Sequence, residues 1–201
     1  MMKLILASNN AKKMKELKAI LSDMDVDILT QREAGCCFEV EETGTTFAEN
    51  AYLKAKAVFD ATGEATVADD SGLMVEALGG EPGVYSARYA PGEHDATDRE
   101  RYEYLLKKMG DTENRRAKFV SSICCLLPDG RVIRTEGECP GQILRQPQGE
   151  GGFGYDPVFM PDGYDESMAV LGSEVKNKIS HRAHALAKFK EELRKTNGID
   201  K

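Results

Sequence analysis

The sequence lacks long apolar runs, and this absence excludes one large class of protein. No stretch of about 18 apolar residues is present, so no membrane-spanning helix is predicted. Near the amino terminus only four apolar residues, Leu4–Ala7, come before polar ones, which predicts a strand rather than a signal peptide. Internal repeats and low-complexity segments are also missing.

Cysteines at metal-binding spacing are missing as well. The five cysteines include the adjacent pairs Cys36-Cys37 and Cys124-Cys125, but no Cys-x-x-Cys spacing occurs. Neither a zinc site nor a redox motif is therefore indicated. Cys124 and Cys125 lie in an apolar run and are predicted to be packed, reduced thiols, which fits a cytoplasmic protein.

Positively charged residues are fewer than negatively charged ones. The chain has 27 Lys and Arg against 34 Asp and Glu, a formal net charge of −7. This balance argues against nucleic acid or a membrane surface as a partner, since both attract cationic faces. If the substrate is an anion, its binding cations must be concentrated locally. The length of 201 residues predicts a single domain over residues 1–201, with room for two lobes.

One stretch combines features of a ligand site. Thr66–Ala68 reads as a short buried strand that runs directly into Asp69, Asp70, Ser71 and Gly72. In α/β sheets, ligands bind just past the carboxyl ends of strands. Two adjacent carboxylates repel each other, so a divalent cation or a water to be deprotonated would explain them. Because successive strand side chains alternate between faces, only one of the two is expected to face the chemistry. The alternative is a loop that begins with Asx-turn residues.

The first strand is followed by a polar turn and a helix. A strand over Lys3–Ala7 leads through Ser8, Asn9 and Asn10 into a helix predicted from Ala11 to Leu21. Such a junction offers backbone N–H groups to a phosphate. Lys12 and Lys13 occupy the first helical turn, where the helix dipole disfavours cations unless an anion binds. The turn is neither a P-loop nor a dinucleotide-binding fingerprint, and an ordinary turn with exposed lysines is the alternative.

A second acidic turn precedes the next helix. A short strand over Phe38–Glu41 is predicted to enter an acidic loop, and Thr45 or Thr46 to cap a helix that runs to about Ala61. Lys54 shares a face with Phe47, Ala51 and Val58. That position favours a snorkelling lysine, whose stem packs on the core while its ammonium reaches solvent. A contact with a ligand is the alternative.

The rest of the chain contains four further signals. A short helix is predicted over Leu73–Leu78, and a hairpin pairs Ala117–Leu127 with Arg131–Cys139 around a Pro-Asp-Gly turn. Four glycines within residues 149–154 stand beside Phe153 and Tyr155, which favours a loop shaped around a ligand. Ser180 is predicted to cap a final helix with His181 and Arg182 in its first turn.

These features together favour one kind of site. Lysines and helix starts suit phosphates, one or two carboxylates suit Mg²⁺, and an aromatic loop suits a nucleobase. The combination indicates a nucleoside polyphosphate site with metal-assisted phosphoryl chemistry.

Motifs that resemble those of a known protein family extend over nearly the whole chain, from Leu6–Lys13 to Ile179–Arg182. Between them lie Glu41-Glu-Thr-Gly-Thr-Thr-Phe-Ala-Glu-Asn-Ala51, Ala68-Asp-Asp-Ser-Gly-Leu73, Gly83-Val-Tyr-Ser-Ala-Arg-Tyr89 and Gly151-Gly-Phe-Gly-Tyr-Asp-Pro157. On these blocks the sequence resembles the inosine triphosphate pyrophosphatase family, in its bacterial branch of XTP/dITP diphosphatases. None of the blocks is specific alone, but together they are highly specific.

The resemblance implies a role for individual positions. Asp70 would be the proton acceptor, and Glu41 and Asp70 would hold Mg²⁺. The remaining implied positions contact substrate: the triphosphate loop Ser8, Asn9, Asn10, Ala11, Lys12 and Lys13; the phosphate lysines Lys54 and Lys176; Ser71; the base-side loop Phe153, Gly154, Tyr155 and Asp156; and the pair His181 and Arg182 near a 6-oxo purine. Asn9 and Lys12 depart from the family pattern, because some relatives have glycines there.

The resemblance also implies a fold and an activity. The expected fold is α/β, with an elongated mixed β-sheet flanked by helices and two lobes around a central active-site cleft. The expected activity is Mg²⁺-dependent hydrolysis of XTP, ITP and dITP to the monophosphate and pyrophosphate by a homodimer.

Four alternatives are less consistent with the sequence. Maf-type pyrophosphatases share the chemistry, but the pair His181 and Arg182 after Lys176 argues against them. A haloacid-type phosphatase needs an Asp-x-Asp motif, which Asp69-Asp70-Ser71 does not supply. A non-catalytic nucleotide sensor would be expected to lose Asp70 or Glu41. An RNA-binding module would need a basic face.

Overall fold

The computed structural model of the chain describes residues 2–91 and 96–196. The strands are β1 (Met2–Leu6), β2 (Val26–Thr30), β3 (Ala65–Val75), β4 (Arg116–Leu126), β5 (Val132–Ile143) and β6 (Phe159–Pro161). The helices are α1 (Ala11–Ile20), α2 (Phe47–Thr62), α3 (Asp98–Met109), α4 (Met168–Ile179) and α5 (His181–Thr196).

The strands form one mixed sheet. Its order is β2-β1-β3-β4-β5-β6. β1 pairs in parallel with both β2 and β3, whereas β5 and β6 are antiparallel. The predicted mixed α/β sheet flanked by helices is thus confirmed, and so is the hairpin between β4 and β5, whose turn is closed by Leu127 and Arg131.

Contacts along the chain divide it into two compact units, each built from separated segments. The first unit comprises Met1–Asp70, Ser121–Gly137 and Arg182–Lys201. The second unit comprises Ser71–Val120 and Glu138–His181. The boundaries fall inside strands and at the start of α5, so no linker composition marks them in the sequence.

The first unit buries both faces of its part of the sheet. On one face Leu6, Val67 and Ile123 pack in a cluster with residues of α1 and α5. On the other face Ala68 and Cys124 pack in a cluster with residues of α2. Since strand side chains alternate, Asp69 follows Val67 onto the α1 and α5 face, and Asp70 follows Ala68 onto the α2 face.

The second unit has its own apolar core. Leu73 and Val75 of β3 pack in a cluster with Leu105 of α3, Phe159 of β6 and Met168 of α4. Gly172 interrupts α4 with a left-handed φ of +76°. The sequence-based prediction missed α4, because this glycine breaks the helical pattern near its middle.

Three of the predicted elements differ from the structure. β3 does not end at Ala68 but continues to Val75, so Asp69 and Asp70 lie within a strand. The helix predicted over Leu73–Leu78 is reduced to a three-residue 3₁₀ helix, Glu76–Leu78. Residues 36–44 form neither helix nor strand, so the strand predicted over Phe38–Glu41 is absent. The predictions for α1, α2 and α5 are confirmed.

Over residues 2–91 and 96–196, no helix combines the length and the apolar character needed to cross a membrane.

Candidate active site

The turn between β1 and α1 is organised by Asn10. The Asn10 side chain caps α1, accepting hydrogen bonds from the N–H groups of Lys12 at 2.9 Å and Lys13 at 3.2 Å. Ser8 Oγ in turn accepts from Asn10 N at 3.1 Å. Two of the N–H groups expected to be open to phosphate are therefore occupied by the cap. Asn9, Asn10, Ala11 and Lys12 are exposed, and Ser8 is half-buried.

The Lys13 side chain leaves this turn and reaches β3. Its Nζ lies 2.8 Å from Asp69 Oδ2 and donates to the Asp69 backbone oxygen at 3.1 Å. Burial lowers the pKa of Lys13 despite the attraction of Asp69. Lys13 is therefore a positioned cation at the sheet rather than an exposed lysine.

Arg182 meets the same carboxylate from α5. Its Nε donates to Asp69 Oδ2 at 3.1 Å, and its Nη1 donates to Glu16 Oε2 at 2.8 Å. Burial opposes the charge, but the two carboxylates outweigh it and raise the pKa of Arg182. Burial likewise opposes the charge of Asp69, yet Arg182 and Lys13 hold its pKa well below the ordinary value. Asp69 is thus a fixed anion that gathers two cations.

Asp70 lies on the opposite face with a different partner. Lys54 Nζ is 2.8 Å from Asp70 Oδ1 and 2.8 Å from Glu42 Oε1, so it bridges the two carboxylates. Burial raises the pKa of Asp70 above its ordinary value, although Lys54 opposes this. The pKa of Lys54 is also raised, because Asp70 and Glu42 outweigh the effect of burial. A carboxylate with a raised pKa is better matched to accepting a proton near neutral pH.

Asn50 fixes the acidic loop to α2. Its side-chain oxygen accepts from Gly44 N at 2.8 Å, and the Asn50 side chain is fully buried. Glu42 lies two residues before that anchor and contacts Lys54, whereas Glu41 is exposed.

In the second unit, Asp156 organises the glycine-aromatic loop. Its Oδ2 accepts from Phe153 N at 3.0 Å and also forms an ion pair with Lys176. The Lys176 ammonium lies 4.0 Å from the centre of the Phe153 ring. Lys176, predicted to bind phosphate, thus contacts the base-side loop from α4 in this structure.

Two further contacts hold the same loop. Gly154 N donates to Asp98 Oδ2 at 2.7 Å, and Tyr155 OH donates to Ser86 O at 2.8 Å. Desolvation raises the pKa of the buried Tyr155. The N–H groups of Phe153 and Gly154 are therefore engaged by carboxylates rather than offered to a base.

His181 begins α5 and stacks on an aromatic ring. Its imidazole lies 4.8 Å from Phe119, centre to centre, with 14° between the rings. His181 is buried, as is its neighbour Arg182. The structure thus brings the predicted residues together in two groups. One surrounds Asp69 and Asp70 in the first unit, and the other surrounds Asp156 in the second; Ser71 is the first residue of the second unit.

Comparison with known proteins identifies the family. A family model described as Ham1 family matches residues 4–192. The chain belongs to the Ham1 family. It is 46% identical over 195 residues to a protein of Aquifex aeolicus named dITP/XTP pyrophosphatase, covering 94% of this chain and 95% of that protein. A protein of the same name from Bacillus subtilis is 45% identical, with 92% of this chain and 93% of the relative covered.

Solved Ham1 structures share the fold. The Staphylococcus aureus Ham1 protein superposes with a TM-score of 0.89 at 43% identity, covering 96% of this chain and 99% of that one. A HAM1 protein from Coxiella burnetii gives a TM-score of 0.91 at 37% identity, covering 97% of this chain and 100% of that one.

Sequence reasoning missed several residues of these two groups. Asp69, Glu42, Glu16 and Asp98 each bind a predicted site residue, yet none was assigned a role. For Asp69 a signal was present: strand alternation places its side chain opposite that of Asp70, beside whatever packs on Val67. Glu16, Glu42 and Asp98 depend on contacts between distant segments, which sequence spacing does not reveal.

The donor set of this Ham1 chain fits Mg²⁺ held jointly with a substrate. Within the described residues, no group of three or more His, Cys, Asp or Glu side chains could hold a metal ion. Asp70 and Glu42 do converge on one cation, the Lys54 ammonium, with Glu41 adjacent in the chain. Mg²⁺ is usually held by one or two carboxylates together with substrate phosphates, and this set meets that requirement.

Proposed function

We propose that this protein is a Mg²⁺-dependent pyrophosphatase that hydrolyses noncanonical purine nucleoside triphosphates. XTP, ITP and dITP would yield the monophosphate and pyrophosphate, which would remove these nucleotides from the cellular pool. The name of the relatives, dITP/XTP pyrophosphatase, supports the substrate class. The observation that carries the proposal is Asp70, a buried carboxylate with a raised pKa beside Lys54.

The charge of the first group supports a metal requirement. Three cationic and four carboxylate side chains make up this group: Lys13, Lys54 and Arg182 with Glu16, Glu42, Asp69 and Asp70. With all seven ionised, the group has one net negative charge. A nucleoside triphosphate is itself a polyanion, so its binding here calls for a further cation.

Asp70 would act as the general base. Its carboxylate would orient a water and accept its proton as the water oxygen attacks the α-phosphorus. The bond from that phosphorus to the bridging oxygen would break, and the electron pair would leave with pyrophosphate. Lys13 and Lys54 would stabilise the charge on the phosphates. Mg²⁺, held by Asp70 with Glu41 or Glu42, would supply additional neutralisation of the phosphate oxygens.

Purine selection would rest on hydrogen-bond donors near the 6-position. A 6-oxo purine presents an acceptor there, whereas adenine presents an amino donor. His181 and Arg182 are the donors that the family resemblance implies. A buried donor left unpaired against adenine costs roughly 1–3 kcal/mol.

The test is pyrophosphate release from ITP, XTP, GTP and ATP, with Mg²⁺ and with EDTA, by the wild type and Asp70→Asn. We expect release from ITP and XTP with Mg²⁺, little release from ATP, and almost none from the variant. Equal rates on all four nucleotides would remove the purine selectivity. Tight binding of ITP without release would overturn the enzyme and leave a nucleotide sensor.

Two parts of this proposal concern the whole protein. The residues with implied roles fall in both compact units, so neither unit alone contains the full set. We therefore treat residues 1–201 as one functional domain. The homodimer implied by the family resemblance is also part of the proposal, and light scattering of the purified protein measures it directly.

A further inference from the structure

Asp69 pairs with two cations and a hydroxyl, yet the proposed chemistry gives it no task. Its side chain accepts from Lys13 at 2.8 Å, from Arg182 at 3.1 Å and from Ser121 at 2.6 Å. The residue is 8% exposed. A buried anion with a complete set of donors is fixed in orientation.

The two oxygens of the Asp69 carboxylate serve different neighbours. Oδ1 accepts from the Ser121 hydroxyl on β4, while Oδ2 faces the two cations. Ser121 is fully buried and therefore sets the rotation of the carboxylate from a rigid strand. The positions of Lys13 Nζ and Arg182 Nε follow from that rotation.

Lys13 and Arg182 would otherwise be mobile. Long cationic side chains lose rotamer freedom when they are ordered. Here Lys13 is held by two oxygens of Asp69, and Arg182 is held between Asp69 and Glu16. Both cations are thus ordered before any ligand arrives.

We propose that Asp69 is a positioning residue that acts through Lys13 and Arg182, and that Ser121 sets the orientation of its carboxylate. This inference rests on the proposed function, because Lys13 and Arg182 matter to catalysis only if they meet a nucleotide. Asp69 is not placed to replace Asp70 as base, because Ser121, Lys13 and Arg182 already engage both of its carboxylate oxygens.

The chain offers a matched pair of serines for the first test. Ser121 and Ser122 are adjacent, buried residues of β4 with side chains on opposite faces, and Ser122 Oγ instead donates to Glu136. We expect Ser121→Ala to lower kcat/KM for ITP about tenfold and Ser122→Ala to change it less than twofold, with similar melting temperatures. Equal effects of the two substitutions would overturn the proposal.

The second test is a double-mutant cycle of Asp69→Asn and Lys13→Met. If Asp69 acts through Lys13, Asp69→Asn lowers kcat/KM about 100-fold in the wild-type background but less than tenfold beside Lys13→Met. A purely structural role predicts the same loss in both backgrounds, and that additivity would overturn the proposal. If Asp69→Asn does not fold, Ser121→Ala takes its place in the cycle.

The same cycle is repeated on the Kd of inorganic pyrophosphate, measured by calorimetry. If the wild type hydrolyses ITP but the losses in the cycle are additive, the proposed function stands and the role of Asp69 is refuted. A wild type that does not hydrolyse ITP refutes the proposed function. In that case non-additive losses in Kd still support Asp69 as a positioning residue for a phosphate ligand, and additive losses refute it.

Discussion

At the scale of single residues, one peptide bond separates two carboxylates with opposite properties. Asp69 faces two cations and a hydroxyl, so its pKa lies well below the ordinary value. Asp70 has one cation shared with Glu42, and burial raises its pKa. Strand alternation is the cause, since it directs adjacent side chains to opposite faces with different helices. Asp69 is suited to remain charged and Asp70 to exchange a proton.

Replacing Lys54 should shift the acidic limb of the activity profile. Lys54 opposes the raised pKa of Asp70, so Lys54→Met should raise that pKa further and move the limb to higher pH. The measurement is kcat/KM for ITP between pH 5 and pH 9. Lys56→Met is the control, because Lys56 is exposed on the same helix and pairs only with Asp60. An unshifted limb in Lys54→Met would contradict Asp70 as the base.

Asp69 should also stabilise the fold. Its pKa is depressed in the folded state, so its contribution is present above the unfolded pKa of about 3.9 and is lost as pH falls through the lower folded value. Asp69→Asn should lower the free energy of unfolding by about 3–5 kcal/mol at pH 7, because Lys13 and Arg182 lose their shared anion. Urea denaturation at pH 7 and at about pH 2 measures the difference, which should be smaller at the lower pH because that pH lies below the unfolded pKa.

The exposed Asp129 provides the comparison for that experiment. It lies in the turn between β4 and β5 and pairs with Arg131 at the surface. Asp129→Asn should leave the unfolding free energy within experimental error of the wild-type value at either pH. Losses of equal size at Asp69 and Asp129 would show that the buried cluster adds no stability.

At the scale of elements, apolar periodicity predicted α1, α2 and α5, because each has a regular buried stripe, and the Pro-Asp-Gly turn predicted the hairpin. The same reasoning ended β3 too early, since Asp69 and Asp70 look like the start of a loop. They remain in the strand because ion pairs from α1, α2 and α5 satisfy them. Phe38–Glu41 has strand-like residues but no strand in the structure. The roles of Glu42 and Asp98 depend on such distant contacts and could not be predicted.

Substitution of Gly152 should disturb the base-side loop more than substitution of Gly154. Gly152 has a φ of +75°, and a Cβ there would lie 2.1 Å from Asp156 Oδ2. Gly154 has a φ of +63° but open space around the same position. Gly152→Ala should therefore displace Asp156, which holds Phe153 and Lys176, and raise KM for ITP well above that of Gly154→Ala. Steady-state kinetics of the two variants test this, and a larger effect at Gly154 would contradict it.

At the scale of the whole molecule, burial divides the cysteines sharply. All five are free thiols, of which only Cys37 is exposed. Burial raises the pKa of Cys124 and Cys125, and raises that of Cys139 to about 11. Thiolates are the reactive form, so the buried cysteines should be inert in the folded protein.

A thiol-specific chromogenic reagent should distinguish the exposed thiol from the four buried ones. We expect one equivalent to react rapidly in the native protein at pH 8 and five after denaturation in urea. Cys37→Ser should remove the rapid phase and leave four equivalents in urea. Rapid reaction of more than one thiol in the native wild type would show that the cores open more readily than their burial indicates.

The interleaving of the two units has a consequence for biosynthesis. The core of the first unit includes Ala185, Leu186, Phe189 and Leu193 of α5, together with strands that come much earlier in the chain. A ribosome delivers those helical residues after every segment of the second unit. The first unit therefore cannot complete its core until α5 has emerged, whereas the second unit has by then been synthesised in full. Folding around Asp69 and Asp70 thus waits for a helix that lies more than 100 residues further along the chain.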